Sequence, residues 1–494
     1  MKLHAGAPKS DEMGLAALVA LIGLSFLSLL GLFIALQATT EIRISDNYES
    51  HVQARYAALA GINHGRALSR GLSFDDFLIG PDGTCDPSPA YRTLARSFIF
   101  RNPIPWSLAR SLNITDPVMD LAGIPDNGLI NTGKHGSTEG LVLIPLTGIA
   151  FPQVHEGGGV PGVIARYFVK FTDNNSESSE IAADPADDPF ADGDGVVIVR
   201  STGIAGTIRE TKNNRSTHNS VAMFEVRLRR SLTFSLEAPM VIQGNSVQSS
   251  LAQMFLGNGF DIQGGESNPG IATIDTDPSD SVFPADLVRL RLQADQYGNI
   301  QGQGLQPSVR DITAAVRAHV DKNLLLSASY LRGFVRDSAP KFADSLFAGH
   351  QSWTEGNVPD LGNFDMALAP NEPSQHPKVT LVDGDLLLSG SAQGAGLLVV
   401  TGKLALSGDF AFVGMILVIG AGDIDVAISG GCIRGGIYVA AIANQGGIPA
   451  WQTPKFSIGG TSSLRFDRQA IEMALRLIPP LQLSFREITS TIDP

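Results

Sequence analysis

Clustered carboxylates are the first residues in this sequence that could do chemistry. Asp184, Asp187, Asp188, Asp192 and Asp194 fall in one short stretch with Gly193 and Gly195. Hard cations such as Ca²⁺ bind clustered carboxylate oxygens on a flexible loop. The spacing lacks the EF-hand register and a closing Glu, so a solvated acidic turn stands beside a Ca²⁺ site as the simpler reading, and no other cofactor is expected. Farther on, Asp385, Asp423, Asp425 and Arg434 lie in a Gly-rich region. Acid–base chemistry would need a paired constellation on one face. Lys403 holds the aligned position between Asp385 and Asp423, which favours solvated turn charges, so the chain is not expected to be an enzyme. Gly157, Gly159 and Gly162 match G-x-G-x-x-G formally, but that motif needs a strand before it and a helix after it. Here Pro161 interrupts it and a strand pattern follows. The nine His show no metal-ligand spacing. Cys85 and Cys432 are the only cysteines, which excludes a disulfide framework and a Cys-based zinc cluster. A buried thiol suits the strand-like surroundings of Cys432; a bridge between the two stays open in an oxidising compartment.

Composition narrows the class further. The net charge of −13 argues against a nucleic-acid-binding surface. With 43% apolar residues, 17% charged residues and 53 Gly in 494 residues, the chain leans towards strands and tight turns. It is long enough for two or three domains.

The elements that must position any site begin with a helix. Leu15 to Leu36 is uncharged throughout and long enough at ~1.5 Å per residue to cross a ~30 Å hydrocarbon core. No Pro occurs between Lys9 and Gly80, so the helix is expected to continue past the membrane and stop near Gly71. Ile44, Tyr48, Val52, Tyr56, Leu59 and Ile62 recur at helical spacing and predict one apolar stripe that packs on a small domain. Lys2 and Lys9 before the span favour a cytoplasmic N-terminus.

Strand patterns follow at 167–171, 196–199 and 224–229, where Phe224 to Arg229 alternates and predicts a basic outer face. These make a small antiparallel sheet on the helix. In the second half, Gly384 to Gly390, Gly402 to Gly408 and Gly422 to Val426 align, each followed by a second apolar run. An earlier copy stands at Gly259 to Gly264. The repeat of about 18–20 residues predicts a parallel β-solenoid with Gly at its corners. The insertion from Pro307 to Val335 carries Val309, Ile312, Val316, Val320 and Leu324 as a helical stripe. Trp353 to Pro377 reads as an irregular linker. Asp467 to Leu477 reads as a helix that caps the solenoid. The expected class is therefore α+β, mostly β. Its expected parts are a leader (1–14), an N-terminal helix (15–72), an α+β region (73–235), the start of the solenoid (236–304), a helical insertion and linker (305–377), the repeats (378–445) and a cap (446–494).

The N-terminal residues also carry a family likeness. Met13-Gly14-Leu15-Ala16-Ala17 looks like a prepilin peptidase junction, with Gly14 last in the leader and Leu15 first in the mature chain. Thr39, Thr40, Glu41, Arg43, Asn47 and Tyr48 follow, then Ala57, Ala58, Ala60 and Gly61. This order resembles the N-terminal domain of the PilX type 4 fimbrial biogenesis proteins over about the first seventy residues. It is also similar to the largest minor pseudopilin of type II secretion, the general secretion pathway protein K family. The resemblance implies a minor pilin-like subunit, cut by prepilin peptidase, anchored in the bacterial inner membrane with a periplasmic body, and assembled with other pilins through this helix. Major pilins carry Glu at the fifth residue after the cut; Val19 stands there in this chain, which implies a minor subunit at a filament tip. Two alternatives remain. One is a membrane-anchored β-helix enzyme or adhesin acting on polysaccharide, and the other is a secretion pseudopilin.

Overall fold

In the computed structural model the residues described are 10–71, 73–74, 134–135, 141–142, 149–150, 164–173, 192, 195–211, 214–244, 254–277, 283–368 and 374–488. Ser10–Leu68 forms one continuous helix. Nothing in this stretch of Ala, Leu and other helix formers interrupts the backbone hydrogen bonds. Gly71, at φ +87°, ends it at the position the sequence predicts.

The second half of this helix lies on a five-stranded antiparallel sheet. The long hairpin Val196–Thr211 and Asn214–Arg229 forms its centre, with Ile164–Asp173 beside the first arm. The sequence patterns foresaw three of these strands. The outer strand beyond Asn214–Arg229 is Leu481–Ile488, from the far end of the chain. The segment expected to cap the repeats therefore completes the N-terminal sheet instead. The Arg468–Arg476 helix before it, capped by the Asp467 carboxylate on Ala470 N, packs on the face of the parallel strands rather than over their end.

The body consists of parallel strands stacked in register. In one sheet Leu386 pairs with Leu404, Leu404 with Ile424, and Ile424 with Phe456. In the other, Ala392–Val400, Phe410–Gly420 and Cys432–Gln445 stack with Gly396, Gly414 and Gly435 as direct partners. These three glycines have φ of +119°, +134° and +127°. Only Gly adopts this backbone freely, so each long strand turns at the same rung. A Cβ on Gly414 would lie 2.0 Å from Gly396 O. The body thus has three ladders: one through Leu404, one through Phe412 before the glycines, and one through Ile416 after them.

Alternation explains the apolar runs. Leu398, Val400, Ile416 and Val418 point inward to a core shared with Leu404, Leu406, Phe410 and Phe412. Leu397, Val399, Met415 and Leu417 point outward, under the inserted helices and the Arg468–Arg476 helix. A strand buried on both faces reads as a continuous apolar run.

The stacking order departs from the sequence order. The Met240–Gly244 strand lies against Cys432–Gln445, followed by Ile271–Asp275 and Val309–Asp311. At the other end stands Ser345–Ala348, against His376–Asp383. The insertion must therefore run back along the stack from one end to the other. It spans eight strands, about 34 Å at ~4.8 Å per step. It is not the single helical stripe expected. Val309 belongs to a strand, Thr313–Ala318 and Ala328–Gly333 are separate helices, and Val320 is 80% exposed. Parallel pairing of Val309 with Ile271 wins over helical spacing, and the Thr313 hydroxyl accepts Asp275 N at 2.7 Å to fix the turn. Buried Gln243 then ties the insertion down: its amide donates to Leu325 O at 2.8 Å, and its oxygen accepts the Tyr438 hydroxyl. Burial raises the Tyr438 pKa well above its usual value. The expected linker also has an ordered start, since Trp353 ends a strand paired with Leu386–Ser389 and packs edge-on to Phe347.

Candidate functional site

Helix and sheet meet through small residues. Ala54, Ala57, Ala58 and Ile62 are buried, and Ser50 meets Ser220 at 2.7 Å between hydroxyls. A Cβ on Gly61 would lie 2.1 Å from Ser201 Oγ, and one on Gly203 would lie 2.0 Å from Ala54 O. Backbones approach this closely only where side chains are absent. The expected packing stripe holds only in part: Ile62 is buried and Val52 and Leu59 are half-buried, but its other members are exposed. Ile44 (63% exposed), Tyr48 (71%) and Tyr56 (59%) point away from the sheet. At 3.6 residues per turn Tyr56 lies opposite Ala54, whereas Ile44 and Tyr48 come before Ser50, the first buried residue among those described in the helix. A spacing argument favours the largest apolar residues for a core; here close helix–sheet contact requires the smallest.

The family-motif residues separate into two groups. Ala57, Ala58 and Gly61 are buried against the sheet and Ala60 is half-buried. Thr39, Thr40, Glu41, Arg43, Asn47 and Tyr48 are exposed. The Thr39 and Thr40 hydroxyls return to Ala35 O and Leu36 O at 2.7 and 2.9 Å, which lets polar residues follow an apolar helix without open donors. Gly14 and Leu15 are exposed on the first turns of the helix, and nothing would meet a Cβ on Gly14 within 4 Å. From Gly14 onward the helix is long and apolar enough to cross a membrane, at a mean hydropathy of 2.6 with none of that window buried.

Charges that spacing could not place hold the sheet together. Glu225, only 2% exposed, accepts from Arg200 at 2.9 Å and from Arg486 on the C-terminal strand at 2.6 Å. The alternating 224–229 strand is thus not simply basic on its outer face. Arg55 on the helix reaches Glu487 at 2.9 Å, and Phe485 stacks on Phe224 at 5.1 Å. The partners are hundreds of residues apart, so no local pattern signals them. Replacing Arg486 with Met leaves Glu225 with Arg200 alone and is expected to cost about 1–3 kcal/mol. Thermal unfolding in detergent would measure it; an unchanged midpoint would show that the C-terminal strand adds nothing to this sheet.

The helix end is clamped to the body. Arg230 donates to Ser69 O at 2.9 Å and to Arg476 O at 3.3 Å, and lies 4.4 Å over the Phe74 ring. Gly71 N donates to Arg476 O at 2.7 Å, and Arg70 pairs with Asp344 at 2.9 Å. Nearby, Tyr167 Oη meets His64 Nδ1 at 3.1 Å; desolvation lowers the His64 pKa and raises that of Tyr167.

Of the acidic loop, Asp192 caps a turn by accepting Gly195 N at 2.8 Å. Asp184, Asp187, Asp188 and Asp194 lie outside the described residues, as does Cys85. Among the described residues no three His, Cys, Asp or Glu side chains gather as a metal site. Cys432 is half-buried, its thiol 3.6 Å from Ser463 Oγ. On the parallel body, Lys403 pairs in register with Asp423, and Asp423 with Lys455. Asp385 accepts Lys403 N at 2.8 Å and lies 3.8 Å from His350. Acid and base alternate along this column, so neighbouring rungs neutralise each other.

No protein-family model and no curated protein matches the chain. Among solved structures it is similar to the competence-associated pilin ComZ from Thermus thermophilus, at 10% identity over 69% of this chain and 87% of that one. The TM-score is 0.13, so this likeness carries no argument.

Proposed function

We propose that the chain is a minor pilin-like structural subunit of a type IV pilus system, not an enzyme. The observation that carries the reading is the contrast along one helix. Its first half is bare and apolar on every side, while its second half is fixed to a small antiparallel sheet through Ala54, Ala58, Gly61 and Gly203. An apolar rod of this kind is stable in lipid or among other helices, because its backbone groups are all paired internally. The first half anchors the subunit in the inner membrane with a cytoplasmic N-terminus and a periplasmic body. After cleavage at Gly14 it enters a bundle with other pilins, and the exposed Ile44, Tyr48 and Tyr56 continue that contact. The PilX resemblance supports this assignment over the secretion pseudopilin, whose helical insert domains differ from this parallel-strand body.

The body acts as a parallel β-solenoid. Its support is the register of three stacked ladders and the glycine column at 396, 414 and 435. Val19 in place of a carboxylate, together with this bulky body, favours a tip or an initiating complex over the filament shaft. The polysaccharide-acting enzyme has less in its favour, since Asp385 and Asp423 alternate with Lys403 and Lys455 and form no catalytic pair.

A photo-crosslinking residue at position 48 tests the helix assignment in cells. Adducts with other pilin-type subunits are expected. The same adducts from position 324, on the body, or none from position 48, would refute a helix-mediated assembly.

A further inference from the structure

The ladder that contains Phe412 breaks the alternation of charge seen on the Leu404 ladder. Its outward column runs Val413, Arg434, Arg465 and Gln263, each the direct partner of the next. Two arginines are thus adjacent rungs of one parallel sheet, ~4.8 Å apart. Both side chains are exposed. Like charges placed directly opposite destabilise a sheet. Among the described residues, neither guanidinium has a carboxylate within 4.0 Å; the one polar contact of Arg434 is to Met366 Sδ at 3.9 Å. This is notable in a chain with 49 acidic and 36 basic residues, where partners are plentiful.

Arg434 lines a groove of about 690 Å³, and Arg465 stands on the next rung outside it. Its floor is the same sheet, with Gln393, Val413 and Arg434 pointing into it, and its wall is the loop that carries Asn363 and Phe364. The wall is stapled in place. Gln375 accepts Asp365 N and donates to Asp365 O, both at 2.7 Å, and Asp360 pairs with Lys378 at the loop's start. The Lys378 hydrogen bond, with Gly362 N–H, holds the Asp360 carboxyl below its usual range. Beyond Arg465 the outer strip continues through Gln263 and Gln301. Their amides donate to Asp261 Oδ2 at 2.7 Å and to Gly298 O at 3.1 Å, which leaves each one further N–H beside the arginines.

We propose that Arg434 and Arg465, with the groove beside them, bind an oxyanion-bearing polysaccharide lying along the stacked strands. Guanidinium forks match carboxylate or sulfate oxygens, and the flanking amides suit hydroxyl groups. A nucleic acid is disfavoured by the overall negative charge. An extended peptide would pair with a strand edge, and this surface is a sheet face. The site does not depend on the helix assignment, and its loss should leave membrane insertion and assembly unchanged.

The test uses the full chain in detergent on immobilised alginate, dextran sulfate, neutral dextran and polyglutamate. Saturable binding to alginate or dextran sulfate, with none to neutral dextran, is expected. Preference between the first two identifies carboxylate or sulfate as the recognised group. Arg434→Gln with Arg465→Gln should weaken binding at least about tenfold with an unchanged melting midpoint. Arg336→Gln with Lys341→Gln, elsewhere on the body, should leave it intact. Equal binding by the Arg434 and Arg465 variant, equal capture by polyglutamate, or no binding to either charged glycan would overturn the proposal.

Discussion

Leu404→Asp is expected to unfold the parallel-strand body as a unit. Leu404 is fully buried and points into the core shared by all three ladders, between Leu386 on one side and Ile424 on the other. Truncating such a residue to Ala already costs about 2–5 kcal/mol. An Asp adds the penalty of a carboxyl group with no partner in that core, which brings the loss to at least ~4 kcal/mol. One strand cannot bury its apolar side chains alone, so the damage spreads through its neighbours. Limited proteolysis should open the whole 378–466 region at once. Leu387→Asp is the control, since Leu387 lies on the outer side of the adjacent strand and is 37% exposed. Local nicking near 404 with the rest protected would show that the rungs do not share one core.

The second large effect is at the helix–sheet contact. Gly203→Val would place a branched side chain where a Cβ already lies 2.0 Å from Ala54 O and 2.5 Å from Ala58 N. Both neighbours are backbone, so neither can swing aside. The helix must lift from the sheet, exposing Phe171, Val199 and Phe224. Each buried residue of this size contributes roughly 1.5–3 kcal/mol, so the loss should reach several kcal/mol. Thermal unfolding of the detergent-extracted protein would show an early transition of the N-terminal unit. A single transition at the original midpoint would mean that the contact is not close in solution.

Local chemistry made much of this architecture legible. The long helix, its stop at Gly71, the three central strands of the small sheet and the paired runs around Gly396 and Gly414 all follow from composition and period. What stayed hidden depends on partners remote in sequence. Met240–Gly244 stacks beyond the last repeat because its apolar residues match Ile437 to Ala440 in space, and nothing near residue 240 announces that neighbour. The C-terminal strand joins the first sheet through Arg486 and Glu225, which no periodicity links. The helix face is only partly legible for a different reason. Spacing identifies a real apolar stripe, and its Ile62 does reach the sheet, but the closest contacts are made by Ala and Gly, and Ile44, Tyr48 and Tyr56 are left outside. That exposed stripe is where the proposed function locates the contact with other subunits. The like-charged pair Arg434 and Arg465 is also invisible in sequence, since register alone makes them neighbours.

The central claim is that the apolar helix is a processed pilin-type anchor. N-terminal sequencing of the protein extracted from membranes tests it most directly, with a Gly14→Val variant run alongside. Processing predicts a chain beginning at Leu15, and the variant retaining Met1. A wild-type chain that keeps Met1, or one that begins after Ala38, would contradict the account: the helix would then be a plain anchor or a discarded signal.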